Sequence, residues 1–490
     1  MNKGSLVRFV IFFFWLVTLI LLFQKNNLTP PDNGIGFALG GDTIEGNQEW
    51  LSIYLKGYKV GYSAIQTRRA GDGGGYEIVE DTLMVLNNLG TKQRIESNIK
   101  SNVTLDYFLK SFDFSLLSGK VTFSLHGEVV GKRLYLVMMS GNNETRSSLP
   151  INDRPFLSNT LKPYILKRGL TVGKKFILPY FDPPTLSTHD ITIEILGKEK
   201  IFFSGKEIIT YKVKESFAGI ETVAFVSEAG EVLKEEGPLG LTFIKETHEQ
   251  AVSGEWMKNK KPDFAVTNAV PVTVPITNAR AVKFLKVRIN NLPFDDFDLT
   301  EGRQTLNQDI LEIRQEGRES WKSFSIPYQN NDLKPYLQST PFIQSTDKRI
   351  IIQARKIAGD NGDAETTARK LLQWVFKNLT KKSTFSVPNA LEVLDLKYGD
   401  CNEHTALFTA LSRSVGIPTR VCVGIVYLND KFYYHAWPEI FLGQWVAVDP
   451  TFNQFPADAT HIRLVVGDLS DQIKILNVVN NITLDVMDYS

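Results

Sequence analysis

Residues 398–405 read Tyr-Gly-Asp-Cys-Asn-Glu-His-Thr, and they are followed by Tyr-His-Ala-Trp at 434–437 and by Trp-Val-Ala-Val-Asp-Pro-Thr at 445–451. Cys401, His435 and Asp449 therefore occur in this order within fifty residues. A thiol, an imidazole and a carboxylate are the groups that nucleophilic catalysis uses as nucleophile, base and orienting residue. The three stretches predict a cysteine-dependent catalytic site.

A helix is predicted to begin at Cys401. The apolar residues behind it recur with the spacing of one buried helix face, at Ala406, Leu407, Ala410, Leu411 and Val415. Asp400 is a suitable N-cap, Glu403 can complete a capping box, and Gly416 followed by Pro418 is a stop signal. The helix dipole favours a thiolate in the first turn, so the pKa of Cys401 is expected to lie below the usual value of about 8.5.

The segments 419–427, 432–441 and 444–449 are predicted to be consecutive antiparallel strands, because β-branched and aromatic residues fill them and turn residues separate them. Folding the last hairpin about position 442 places His435 opposite Asp449, to within one residue. Their Cβ atoms would then be about 5 Å apart. Asp449 could accept a hydrogen bond from one ring nitrogen of His435 and leave the other nitrogen for Cys401.

These motifs, together with Gly-Ile-Pro-Thr-Arg at 416–420, resemble the core of the bacterial transglutaminase-like superfamily over about residues 345–470. By that resemblance Cys401, His435 and Asp449 form the catalytic triad of a papain-like core, in which the helix that carries the thiol packs on an antiparallel sheet. The family includes transglutaminases, peptidases and amidases. The resemblance therefore implies an α+β fold and acyl transfer from protein or peptide amides through a thioester, without specifying the acceptor.

Each candidate residue also has a structural interpretation. Cys401 could be a small buried residue, and Cys422, in mid-strand between two valines, is predicted to be a packing residue. His404 follows Cys401 by one helical turn, so a zinc site made of Cys401, His404, His435 and Asp449 is an alternative. Neither Cys-x-x-Cys nor His-Glu-x-x-His spacing occurs in the sequence, and we predict no metal and no cofactor. A further alternative is a membrane-anchored binding or assembly protein that keeps the fold without turnover.

An apolar run near the N-terminus, Phe9–Phe23, is uninterrupted by charge and is close to the lower limit for a membrane span. Lys3 and Arg8 precede it and favour a cytoplasmic N-terminus. A cleaved signal peptide is the alternative, but residues 24–27 offer no Ala-x-Ala-like cleavage site. We therefore expect a single-pass inner-membrane protein whose catalytic domain is periplasmic or extracytoplasmic.

Composition excludes some classes of protein. The 490 residues include 55 basic and 54 acidic side chains, with a formal net charge of +1, so the electrostatic footprint of a nucleic-acid-binding protein is missing from the sequence. Two cysteines cannot form a disulfide framework, and a bond between Cys401 and Cys422 would abolish the nucleophile. Both thiols are therefore expected to be free.

The length predicts two or three domains behind the anchor. Between the linker and about residue 260 the sequence alternates with a two-residue period, which predicts an antiparallel half-barrel or sandwich of unknown role. The predicted organisation is an anchor at 1–25, a linker at 26–45, the β domain at 46–262, a connector with a small β region at 263–340, the catalytic domain at 341–475 and a C-terminal tail at 476–490.

Overall fold

The structure is a computed structural model, and it describes residues 48–490 apart from 72, 361, 468, 476–478 and 480. The predicted anchor Phe9–Phe23 and the predicted linker lie outside the described residues. Within the described part of the chain, no helix combines the length and the apolar character that a membrane span requires. The described chain combines antiparallel sheets with helices, so the predicted α+β class is confirmed.

One antiparallel sheet occupies the first half of the described chain. Its fourteen described strands are β1 Gln48–Leu55, β2 Tyr58–Arg69, β3 Gly75–Asn88, β4 Thr91–Thr104, β5 Leu109–Ser118, β6 Val121–Val130, β7 Arg133–Ser140, β8 Asn143–Pro150, β9 Lys175–Asp182, β10 Ser187–Phe203, β11 Lys206–Phe217, β12 Ile220–Ser227, β13 Val232–Glu236 and β14 Leu241–Lys245. The spatial order runs from β8 down to β1, then from β14 down to β9. Two meanders are thus joined along the β1–β14 pair.

One helix packs against this sheet. Helix α1, Ser158–Arg168, connects β8 to β9 and contacts β3 and β4. Its apolar residues share one hydrophobic cluster with residues of β9 to β13. The Asn159 amide donates to the carbonyl oxygens of Ile78 and Ile99, which fixes the helix on the sheet. Helix α1 therefore contacts strands of both meanders, and the fourteen described strands form one hydrogen-bonded sheet.

The sheet shares its core with the second half of the chain. Phe342 and Val387 belong to the same hydrophobic cluster as residues of β3 to β7. The Gln93 side chain donates to the Ser383 carbonyl at 2.7 Å, and the Arg349 guanidinium donates to the Asn143 side chain at 2.6 Å. Packing and hydrogen bonds thus join the large sheet to the region that carries the candidate site.

A smaller four-stranded sheet follows, in the order β17 Gln304–Asn307, β18 Ile310–Arg314, β16 Phe284–Asn290 and β25 Thr483–Tyr489. Strand β25 lies in the segment 476–490, which the sequence predicts to be a C-terminal tail. It pairs with β16, and its apolar residue Leu484 is buried. The elements between the two sheets are the helices α2 His248–Val252 and α3 Phe264–Thr267 and the strand β15 Val270–Pro271.

The predicted catalytic domain, 341–475, contains helices that pack against a third antiparallel sheet. Its strands in spatial order are β15 Val270–Pro271, β22 Lys431–Phe441, β21 Thr419–Leu428 and β24 His461–Val466, and β23 Trp445–Ala447 pairs with β22. Leu407, Phe408 and Leu411 of helix α7, Cys401–Ser414, are fully buried. The remaining described elements are α4 Lys348–Ala358, α5 Ala364–Asn378, β19 Thr380–Lys381, α6 Ala390–Leu396, β20 Tyr398–Gly399 and α8 Leu469–Gln472.

Candidate active site

The start of helix α7 positions Cys401 as its first residue, as the sequence predicts. Asp400 accepts a hydrogen bond from the Asn402 amide at 3.1 Å, and the Glu403 carboxylate accepts from the Asp400 amide at 2.8 Å. The predicted capping box is therefore confirmed. A Cβ atom at Gly399 would lie 2.3 Å from the Glu403 side chain, so this position requires glycine.

Cys401 lies beside the strand that carries His435. The backbone N–H of Ala436, the residue after His435, lies against the Cys401 thiol. One turn further along α7, the Thr405 hydroxyl donates to the Ala436 carbonyl at 3.1 Å. The first turn of α7 is thus fixed along β22, the strand that carries His435, and Cys401 is a partly exposed residue.

His435 and Asp449 form a buried hydrogen-bonded pair. The distance between His435 Nε2 and Asp449 Oδ2 is 2.8 Å, and both side chains are almost inaccessible to solvent. Because Nε2 is engaged by the carboxylate, Nδ1 is the ring nitrogen that remains for the thiol. The carboxylate therefore fixes the tautomer in which Nδ1 can accept a proton.

The predicted strand register of this pair is wrong by two residues. The ladder pairs Glu439 with Ala447, which would place His435 opposite residue 451, and β23 ends at Ala447. Asp449 instead lies in the turn that follows, where its Oδ1 atom accepts from the amides of Thr451 at 2.6 Å and Phe452 at 3.1 Å. The turn, and not the ladder, brings the carboxylate to His435.

Aromatic rings enclose the imidazole. The Phe452 ring is stacked on His435 at 5.0 Å between centroids, and Trp437 is nearly parallel to it at 6.0 Å. The Arg280 guanidinium lies 4.7 Å from the centre of the Phe452 ring. These contacts restrict rotation of the imidazole and keep water away from its hydrogen bond with Asp449.

The electrostatics of the thiol differ from the sequence-based expectation. Burial raises the pKa of the Cys401 thiol well above its usual value, and the Asp400 carboxylate, whose own pKa is raised by burial and by Glu403, acts in the same direction when it is ionised. The N–H of Ala436 opposes this change without cancelling it. Burial also lowers the pKa of His435, although Asp449 opposes that shift. The resting pair is therefore a neutral thiol and a neutral imidazole, because desolvation outweighs the dipole of the helix.

A second histidine shares the carboxylate of Asp449. His461 Nε2 lies 3.0 Å from Asp449 Oδ2, and His461 Nδ1 lies 3.3 Å from Asp458 Oδ1. The charges of these neighbours hold the pKa of Asp449 well below its usual range, although burial acts against them. Sequence reasoning missed His461 and Asp458, since neither stands in a recognisable motif. The one available signal was their position shortly after Asp449.

The other residues considered in the sequence have structural positions. His404 is fully buried and its Nδ1 donates to the Asp400 carbonyl at 2.7 Å, so it supports the start of α7. Burial lowers the pKa of His404, which therefore stays neutral. Cys422 is fully buried in a cluster with Trp437, as predicted for a packing residue. Both cysteines are free.

A metal site was the alternative interpretation of these residues. Across the described part of the chain, His435, Asp449 and His461 are the group whose possible ligand atoms all lie within 4.8 Å of one another. Cys401 and His404, which the alternative zinc site would require, do not belong to that group. Each short distance within it joins an imidazole nitrogen to a carboxylate oxygen at hydrogen-bond length. We therefore interpret the group as a hydrogen-bonded array.

Comparison with known families agrees with the motifs. Residues 352–450 match the family model described as the transglutaminase-like superfamily. This segment, which contains Cys401, His435 and Asp449, is therefore a transglutaminase-like domain, as predicted. Among curated proteins there is no significant match.

Solved structures offer distant similarities. A candidate cysteine protease from Cytophaga hutchinsonii is 17% identical, with 43% of this chain and 89% of that chain covered and a TM-score of 0.30. A candidate protease from Parabacteroides distasonis is 13% identical, with 71% and 69% covered and a TM-score of 0.19. A β-barrel-like protein from Brucella abortus, of a domain family of unknown function, is 8% identical, with 39% and 84% covered and a TM-score of 0.27. At these scores none of them supports an inference about activity.

Proposed function

We propose that the protein is a cysteine-dependent acyl-transfer enzyme that cleaves protein or peptide amides through a thioester on Cys401. The observation that supports this most directly is the buried 2.8 Å hydrogen bond between His435 and Asp449, on the strand beside which α7 begins. An imidazole oriented by a carboxylate and placed next to a thiol is the arrangement that covalent acyl transfer requires.

Acylation of the enzyme begins from the neutral pair. As the Cys401 sulfur bonds to the amide carbonyl carbon, the thiol proton passes to Nδ1 of His435 and an oxyanion forms. The C–N bond then breaks while the imidazolium returns the proton to the leaving nitrogen, which leaves a thioester. Asp449 holds the imidazole and stabilises its transient positive charge. The first-turn amide of Cys401 has no acceptor within the helix and is the natural donor to the oxyanion.

Deacylation determines the class of enzyme. His435 takes a proton from water or from a primary amine as the oxygen or nitrogen bonds to the thioester carbon, and the departing sulfur recovers the proton. Water gives a peptidase or an amidase, whereas an amine gives a transglutaminase. Cys401 is partly exposed as a residue, and water is the smallest of these acceptors.

The test uses the full-length protein with a peptide mixture and a biotin-labelled primary amine. New peptide termini reveal hydrolysis, and biotin in the peptides reveals transfer to the amine. We expect Cys401→Ala to abolish whichever activity is found, while Cys422→Ala, the matched control at a buried packing position, retains it. Full activity of Cys401→Ala would overturn the proposal.

A binding or assembly protein with the same fold is the second candidate. The observation that favours it is the raised pKa of Cys401, since burial and Asp400 oppose formation of the thiolate. The two candidates differ in what the thiol contributes to the cell. A binding protein functions with alanine at position 401, whereas an enzyme does not, and complementation of a deletion strain by Cys401→Ala distinguishes them.

We further propose that the protein is anchored in the inner membrane with its catalytic region outside the cytoplasm. The support is the charge-free apolar run Phe9–Phe23 with Lys3 and Arg8 before it. Its substrates would then be extracytoplasmic proteins or peptides. Protease digestion of spheroplasts should degrade the catalytic region, and alkaline carbonate should leave the protein with the membranes. Protection from the protease in intact spheroplasts would contradict this orientation.

A further inference from the structure

Asp449 has two histidine partners on one oxygen atom. His435 Nε2 approaches Asp449 Oδ2 at 2.8 Å, and His461 Nε2 approaches the same oxygen at 3.0 Å. The other oxygen, Oδ1, already accepts from the backbone amides of Thr451 and Phe452. Two imidazole rings and two backbone amides thus donate hydrogen bonds to this carboxylate, and His461 is one of the four donors.

The position of His461 follows from the strand order. His435 pairs with Gly424 on one side of β21, and His461 pairs with Val426 on the other side. Positions 424 and 426 face the same side of the strand, since side chains alternate. The centroids of the two rings are 5.5 Å apart. A Cβ atom at Gly424 would lie 1.9 Å from the Ile462 carbonyl oxygen, so β24 can approach β21 this closely only because the residue is glycine.

Counting protons on His461 shows that both ring nitrogens are donors. Nδ1 faces the Asp458 backbone carbonyl at 3.2 Å and Asp458 Oδ1 at 3.3 Å, and a carbonyl oxygen can only accept. Nε2 faces the carboxylate of Asp449. A ring that donates from both nitrogens carries a positive charge. His461 is fully buried, so water does not supply an alternative partner.

Asp458 is itself held as an anion. Its Oδ1 atom accepts from the Thr460 amide at 2.8 Å, and Oδ2 accepts from the Gln454 side chain at 2.8 Å and lies 3.1 Å from Arg280 Nη1. Burial opposes its ionisation, but His461 and Arg280 hold its pKa below the usual range. In the same way burial disfavours charge on His461, yet Asp458 and Asp449 together raise its pKa.

We propose that His461 is a permanently charged positioning residue, which shares the charge of Asp449 and thereby keeps the resting Cys401–His435 pair neutral. The inference rests on the proposed function, because it concerns the same thiol and base. A lone carboxylate would stabilise the imidazolium form of His435 and draw the proton from the thiol. With His461 on the same oxygen, less of that negative charge is available to His435, and the proton stays on sulfur until a substrate arrives.

The surroundings agree with this assignment. Besides burial, the positive charges of His461 and Arg280 lower the pKa of His435, and Asp449 acts in the opposite direction. The other titratable groups that act on these rings or on the thiol are Asp400, Glu403, Tyr434 and Asp458.

The first experiment measures alkylation of Cys401 by iodoacetamide as a function of pH, by peptide mass spectrometry on the full-length protein, with Cys422 as internal reference. His461→Gln keeps an N–H donor to Asp449 but removes the charge. We expect it to increase the alkylation rate at about pH 7 by roughly tenfold or more. A change of one unit in the difference between the pKa values of Cys401 and His435 changes the population of the thiolate–imidazolium form about tenfold. His126→Gln, which removes an exposed histidine on β6, is the matched control and should leave the rate unchanged.

If His461 only supported the fold, His461→Gln would lower the alkylation rate, because Asp449 would no longer hold His435 in place. Asp458→Asn is the second variant, since it leaves His461 in place while weakening its charge, and it should change the rate in the same direction as His461→Gln. In a His435→Ala background, His461→Gln should have no effect on the rate. Direct evidence comes from nitrogen-15 spectra of labelled histidine, in which His461 should show two protonated ring nitrogens at about pH 7.5.

The outcomes separate the two proposals. An unchanged or lower rate in both His461→Gln and Asp458→Asn, with wild-type Cys401 still reactive, overturns the role of His461 and leaves the proposed function intact. A neutral His461 in the nitrogen-15 spectra also overturns it. If Cys401 is not alkylated in the wild type or in any variant, the thiol is not activated. That result would overturn both the proposed function and this inference.

Discussion

Asp449 is the central hydrogen-bond acceptor of the candidate site, because its two oxygens accept from two imidazole rings and two backbone amides. At this scale the chemistry depends on which proton each group holds. Cys401 and His435 are both buried enough to prefer their neutral forms, and Asp449 stays ionised among its donors.

Replacing Asp449 with asparagine should remove most of the activity. The side chain keeps its size, but the amide presents a single oxygen and no charge to His435 and His461. We expect the turnover number to fall by roughly a thousandfold or more, with a smaller change in KM, since the loss concerns the imidazolium formed in the transition state. Steady-state kinetics on the identified substrate check this. Asp309→Asn, which removes one partner of a half-exposed ion pair, should change neither constant.

The charge of Asp400 should be visible in the titration of the thiol. Asparagine at this position can still cap α7, while the negative charge beside Cys401 is lost. Because Asp400 raises the pKa of Cys401, the midpoint of Cys401 alkylation should move to lower pH in Asp400→Asn, and in the wild type it should lie above about 8.5. Alkylation followed by mass spectrometry at a series of pH values measures both midpoints. An identical midpoint in the two proteins would mean that Asp400 is uncharged when the thiol titrates.

Among the elements, α7 is the one that the sequence specifies most completely. Asp400, Glu403 and Gly416 define its ends through contacts within a few residues, and the structure has the helix at Cys401–Ser414. The neighbouring hairpin was predictable in kind but not in register, because Asp449 is placed by a turn whose hydrogen bonds involve Thr451 and Phe452. Apart from its position shortly after Asp449, the sequence contained no local pattern that indicated His461, since the long-range pairing of β24 with β21 brings it to His435.

Glu403→Ala should destabilise the protein through the start of α7. The buried carboxylate accepts from the amide of Asp400 and from the hydroxyls of Thr384 and Ser386, and its removal leaves these donors without their acceptor. Unsatisfied buried donors cost about 1–3 kcal/mol, and we expect a loss of that size in the free energy of unfolding. Urea denaturation followed by circular dichroism measures it. Glu249→Ala, at an exposed first-turn position of α2, should stay within about 0.5 kcal/mol of the wild type.

At the scale of the whole molecule, the large sheet and the catalytic region behave as partners in one core. The individual strands of the sheet could be predicted from their two-residue alternation, as at Val121–Val130. Their assembly could not, because the pairing of β1 with β14 joins segments nearly two hundred residues apart and local periodicity contains no information about it. The same holds for β25, which closes the smaller sheet from the far end of the chain.

Phe342→Ala should test that shared core. Phe342 precedes the helices of the catalytic region, yet it packs among residues of the large sheet. The cavity should lower the free energy of unfolding by about 3–5 kcal/mol. Hydrogen exchange should report the loss in peptides from both the large sheet and the catalytic helices. Phe202→Ala, at a residue that is 78% exposed, is the control and should change the stability by less than about 0.5 kcal/mol. A loss confined to the catalytic helices would show that the two regions unfold independently.

The neutral resting state of Cys401 has a consequence for the survival of the protein. Peroxide and disulfide exchange attack the thiolate far faster than the thiol, so a sulfur that keeps its proton between turnovers is protected from sulfenic acid formation and from mixed disulfides. In the extracytoplasmic location that we propose, no glutathione pool would repair such damage. Burial, Asp400 and the charged His461 would then lower the reactivity of the Cys401 thiol and lengthen the time for which the protein stays active in an oxidising compartment.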